Sequence, residues 1–110
     1  MSKRIDMGPL LDASRNGDVR RVGELLAAGA DPNEADVGSG YTPLTCAVEN
    51  GHAALLDPLL AAGADPRKPD HRGRTPRERA EQARDEGDEP RRYDGVLRLL
   101  ADAEAADSVM

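Results

Sequence analysis

An eight-residue string occurs twice in this chain, and that recurrence limits the possible folds more than any other feature. Leu25–Pro32 reads LLAAGADP, and Leu59–Pro66 reads LLAAGADP again. Extended at an offset of 34, the register matches Asn16–Asn33 to Asn50–Arg67 at ten of eighteen positions. The same offset pairs Pro9-Leu10 with Pro43-Leu44 and Ala13 with Ala47, while an offset of 33 joins Thr42-Pro43 to Thr75-Pro76. A fixed period of this size marks an array of stacked supersecondary units. The odd residue falls in the glycine-rich stretch from Asp36 to Tyr41, aligned with Asp70 to Arg74. A turn absorbs such an insertion at little entropic cost.

Each unit reads as turn, helix, turn, helix. Thr42 suits an N-cap, and Pro43 suits the first helical position, where no amide partner is lost. A short helix then runs through Leu44 and Ala47 to about Asn50, and Gly51 closes it in a left-handed cap. His52 opens a second helix, with Leu55, Leu56, Leu59 and Leu60 at helical spacing. Ala61-Ala62-Gly63 ends that helix, and Pro66 turns the chain into an extended segment. Neither helix can bury its apolar face within one unit, so the units must stack. The expected fold class is all-α.

Composition fits a thin layered core. Aromatic residues make up 2% of the 110 residues, namely Tyr41 and Tyr93, so Leu, Val and Ala must fill the interior. The scarcity of aromatic rings also removes base stacking as a means of holding nucleic acid. A formal net charge of -6 gives no bulk attraction for phosphate backbones or anionic lipid. The single cysteine, Cys46, suits a reducing compartment. Residues 1–8 carry charge without an apolar run behind it, and no stretch approaches the roughly 20 apolar residues of a membrane span. The expected setting is therefore cytoplasmic, and richness in Ala, Arg, Gly and Asp fits a bacterial coding sequence.

The strings GYTPLTCAVENGHAALLDPLLAAGADP and NGDVRRVGELLAAGADPNEAD resemble the ankyrin repeat, with its TPLH-type opening, central Gly-His and closing GAD. The resemblance implies a solenoid of three helix-turn-helix units with short finger turns over residues 8–102. The units fall at about 8–36, 37–70 and 71–102, flanked by an extended or disordered 1–7 and a tail at 103–110 that either extends the last helix or frays. Unit two is complete, and the outer units act as caps. Arg77 stands where unit two has Leu44, as suits an end that faces water. Unit three carries seven extra residues between its helices, because Pro76 to Leu100 spans 24 positions and Pro43 to Leu60 spans 17. They lie in Arg84–Arg92. Pro58 inside the second helix of unit two would cost about 3 kcal/mol in a helix interior, so that helix starts late or kinks near Ala54.

The resemblance also implies a function, protein binding by an adaptor or inhibitor, with no catalysis and no cofactor. The family's contact positions fall on Val37, Ser39, Tyr41, Glu49 and Asn50 in unit two. In unit three they fall on His71, Arg72, Arg74 and Gln82, with Arg15 added from unit one. His52, in the Gly-His pair, takes a structural role. The two histidines have no metal-ligand spacing, and Asp85–Glu89 lacks the alternating ligands of a calcium loop. Cys46 reads as a packed thiol. Asp31 to Glu49 holds four acids and no base, whereas Arg67 to Arg79 holds six bases and two acids, so a face carrying both would be dipolar. That pattern admits a monomer or a weak antiparallel homodimer. The alternative function is weak nucleic-acid binding through Arg67–Arg79, and an enzyme or metal protein built on Cys46 and a histidine is a more remote one.

Overall fold

The computed structural model describes residues 8–108, so the N-terminal stretch expected to be extended or disordered lies outside it. Among the described residues there are six α-helices and no strand. The helices are α1 (Pro9–Asn16), α2 (Val19–Ala27), α3 (Pro43–Glu49), α4 (Leu56–Ala61), α5 (Pro76–Glu86) and α6 (Asp94–Ser108). The first helices of the units, α1, α3 and α5, pack side by side as a front layer. Behind them α2, α4 and α6 form the second layer, each helix also touching its own partner in front.

Identical sequence produces identical local geometry. After α2 the Ala30 N–H donates to the Leu25 carbonyl at 3.0 Å, and after α4 the Ala64 N–H donates to that of Leu59, also at 3.0 Å. The front helices begin on proline, and Thr42 and Thr75 cap α3 and α5 by accepting from Thr45 N–H and Glu78 N–H. At Thr75 the Glu78 carboxylate reaches back to the cap amide and completes a capping box. Gly51 stops α3 at φ 71°, a conformation L side chains avoid, and the His52 N–H closes onto the Ala47 carbonyl at 2.9 Å.

One apolar cluster runs through the stack. Leu10 and Val22 from unit one, Leu44, Val48, Leu55, Leu56 and Leu59 from unit two, and Val96 and Leu100 from unit three are all buried in it. Leu25 packs against the same cluster from its rim. Small residues let the layers approach: Ala47 in α3 and Ala80 in α5 are fully buried between neighbouring helices. At the far end Arg77 is exposed and bound by Glu81 and Glu104, which gives the last front helix its polar outer surface.

The second helix of unit two starts late. Ala53–Leu55 form a 3-10 turn, and α-helix proper begins at Leu56. Unit one opens its equivalent helix with Asp18, whose carboxylate accepts from Arg21 N–H at 3.0 Å. Unit two has His52 there, and His52 makes no cap. Pro58 therefore falls in the first turn of α4, where its missing N–H removes nothing from the helix.

Only residues 87–89 of the insertion in unit three are left as loop. Arg84, Asp85 and Glu86 prolong α5, and Pro90–Tyr93 form a second 3-10 turn leading into α6. Tyr93 is buried there, its hydroxyl donating to the Glu49 carbonyl at 3.0 Å. Residues 103–108, set apart above as tail, continue α6, and Arg77 binds Glu104 within them.

Candidate functional site

Between the helix pairs the chain projects two finger turns beside the front layer. In the first, Asp36 N–H donates to the Tyr41 carbonyl at 2.9 Å, and in the second, Asp70 N–H donates to that of Arg74 at 2.9 Å. Each finger is pinned by its aspartate. Asp36 accepts from both the amide and the hydroxyl of Ser39 at 2.9 Å, and these bonds hold its carboxyl below the usual range. Asp70, with 1% of its side chain exposed, accepts from the amides of Arg72 and Arg74 at 2.8 and 3.0 Å and from Arg74 Nε at 3.0 Å. Burial opposes the charge on Asp70, but those donors and the Arg74 guanidinium outweigh it and keep its pKa low. The fingers also join each other, His71 N–H donating to the Ser39 carbonyl at 2.9 Å. Gly40 turns at φ 77° directly beneath His71, where a Cβ would collide with the ring.

Tyr41 stands between two grooves on this face. One groove, of about 440 Å³, is walled by Arg15, Glu49 and Asn50 together with Ser39 and Tyr41. The other, of about 500 Å³, is walled by His71, Arg72, Arg74, Arg79 and Gln82 together with Gly38, Ser39 and Tyr41. Nine of the ten expected contact positions thus line two adjoining concavities. The repeat register explains the row: Arg15, Glu49 and Gln82 occupy equivalent places on α1, α3 and α5. Val37 is the exception, 92% exposed in the first finger and outside both grooves.

Arg79 was missed by the family's contact positions. It aligns with Cys46, a core position in unit two, and the charge there demands a partner. The Arg79 Nη2 donates to Glu49 at 2.9 Å and its Nε to the Tyr41 hydroxyl oxygen at 3.2 Å. Burial disfavours its charge, yet Tyr41 and Glu49 together raise its pKa, so the guanidinium stays ionised. An arginine at a repeat position otherwise buried, 30 residues from an unmatched glutamate, was the available signal. Arg74 converges on the same centre, with Nη2 at 3.2 Å from the Tyr41 hydroxyl and Nη1 at 2.6 Å from Gln82 Oε1.

The expected dipole is largely internalised. Glu49 and Arg79 neutralise each other, Asp70 is spent on Arg74, and Asp36 lies within its finger. The basic segment is also divided between two sides of the molecule. Arg72, Arg74 and Arg79 wall the groove, while Arg67 donates to the Glu104 carbonyl and Arg77 pairs with the Glu104 carboxylate.

The remaining candidates have local duties. His52 Nε2 donates to the Arg15 carbonyl at 3.0 Å, tying unit two to unit one, and Gly17 fits beneath its ring. Cys46 is 1% exposed, and burial pushes its thiol up to about 12. No thiolate forms there near neutral pH.

A repeat stack with a grooved front layer defines a class of recognition scaffold rather than a reaction centre. The model of ankyrin repeats, in three copies, matches residues 10–107, and the chain belongs to the ankyrin repeat family. No curated protein matches it. Ankyrin repeats generally mediate protein–protein interaction and are non-catalytic modules. Among the described residues, no helix is long and apolar enough to cross a membrane.

Proposed function

We propose that this chain binds a protein partner across its finger turns and front helices, as an adaptor or an inhibitor. The observation that supports it best is the meeting of nine expected contact positions in two grooves that share Ser39 and Tyr41. The composition of the walls fits recognition, since Tyr and Arg supply large contact areas with few lost rotamers. Tyr41, Arg74 and Arg79 are already held in place by one another, so binding orders little that is mobile. We further assign the chain to the cytoplasm, where a lone thiol stays reduced. We read it as a monomer or at most a weak homodimer, since the exposed large hydrophobics among the described residues are only Val19 and Val37.

Affinity capture from native lysate tests this reading. Arg72→Glu and Arg15→Glu, one in each groove, are expected to strip the captured partner by tenfold or more. Arg20→Glu on α2 in the back layer is expected to leave it in place. A partner list indifferent to both groove variants would reject this face. Arg74 is unsuitable for the test, because an acid there would sit against the buried Asp70 carboxylate.

A further inference from the structure

We propose that the groove between the two fingers receives carboxylate side chains from an extended acidic segment of the protein partner. This inference rests on the binding reading above and adds the chemistry of what is bound. It comes from counting donors and acceptors in the walls. Three guanidinium groups face the groove, and each offers five N–H donors and no acceptor. Most of the acceptors within reach are committed. Gln82 Oε1 is taken by Arg74, Asp70 by Arg74 and two backbone amides, and Glu49 Oε2 by Arg79. The Tyr41 oxygen accepts from both Arg74 and Arg79, which leaves its own proton to donate elsewhere.

The surplus therefore lies mainly on the donor side. Arg79 Nη1 is shielded from water with no acceptor. Arg72, exposed on the finger, has no side-chain partner among the described residues. Arg74 and Arg79 are paired with Asp70 and Glu49, Asp36 and Glu86 are bonded to Ser39 and Gln82, and Arg72 at the mouth is the one of the three guanidinium groups with no carboxylate partner among the described residues. A carboxylate suits the unpaired Arg72, because it brings acceptors without donors and one negative charge. Recognition of acidic segments by clustered arginines follows the same rule elsewhere. A nucleic-acid strand fits less well, since it needs a continuous basic track and Arg67 and Arg77 are bound to Glu104.

The experiment uses the whole chain and labelled, end-capped peptides of four Glu-Ser pairs or four Gln-Ser pairs, with a short oligothymidylate as a third probe. Fluorescence anisotropy at low salt is expected to show the Glu peptide binding about tenfold more tightly than the Gln peptide. Arg72→Ala is expected to weaken the Glu peptide about threefold to tenfold, Arg72→Lys less, and Arg20→Ala not at all. In nitrogen-15 spectra the Arg79 Nε–H signal should move with the Glu peptide and stay still with the Gln peptide. Equal binding of the two peptides, indifference to Arg72→Ala, or tighter binding of the oligothymidylate each overturns the inference. If the peptides fail while Arg72→Glu still strips a partner from lysate, the binding face stands and only its acidic specificity falls. If the groove variants strip nothing either, both fall.

Discussion

Asp36 and Asp70 occupy the same place at the base of successive fingers, and each turns one carboxylate into the scaffold of a loop. Folding lowers both pKa values. Their stabilisation is therefore complete above the unfolded-chain value near about 4 and is lost as pH falls through the lower folded values. Urea melts should show stability falling below about pH 4, with a flatter acid limb in Asp70→Asn. At pH 7 that variant is expected to lose about 1.5–3 kcal/mol, since a buried charge-assisted set is broken and the Arg74 guanidinium is left without its counterion. A variant as stable as the parent at both pH values would show that the finger does not depend on this charge. Cys46 offers a simpler check at the same scale. With its thiol buried and pushed up to about 12, it should react with a thiol reagent at pH 8 only as fast as the chain unfolds. Immediate labelling of the native chain would contradict its place in the core.

At the scale of the element, Pro58 separates two physical descriptions of α4. Interior to a helix, proline removes a hydrogen bond and costs about 3 kcal/mol. Here the α-helix begins only at Leu56, so Pro58 sits in the first turn. Pro58→Ala is then expected to change stability by less than about 1 kcal/mol, a small helix gain offset by a freer unfolded chain. A gain near 3 kcal/mol in chemical melts would place the proline inside the helix after all. The same element shows what the sequence could reveal. Thr-Pro caps, Gly-terminated ends and paired LLAAGADP strings made the front helices and α2 legible, because local chemistry decides them. Pro58 made the late start of α4 legible as well, but not the 3-10 form of its entry, where His52 bonds to Arg15 and makes no cap. Whether the tail extends α6 or frays was left open by the sequence, since Arg77 binds Glu104 in its last turns through a contact 27 residues away. In the candidate site, the contact positions implied by the resemblance cover the walls except Gly38 and Arg79, and Val37 lies outside them. Arg79 escaped that reading, because its partners Tyr41 and Glu49 are brought close only by stacking.

At the scale of the whole molecule, three units leave no redundancy. In a long array each unit draws stability from two neighbours, and loss of one interface splits the array. Here α3 touches both α1 and α5, and Leu44 in its first turn is fully buried in the single cluster that crosses all units. An outer unit detached from that cluster has one face open and too little buried area to fold alone. Leu44→Ala should therefore lower stability by about 2–5 kcal/mol without dividing the transition. A chain of this size holds only about 5–15 kcal/mol in total, so the melt shifts far but remains one step. Tyr41 and Tyr93 report on units two and three by fluorescence, while far-ultraviolet ellipticity reports on all six described helices. The two signals are expected to move together in parent and variant. Helical signal that outlasts the tyrosine change in Leu44→Ala would mean that α1 and α2 stand without their neighbours. The grooves would then be assembled from parts that fold separately, and the front face would lose the rigidity on which its recognition depends.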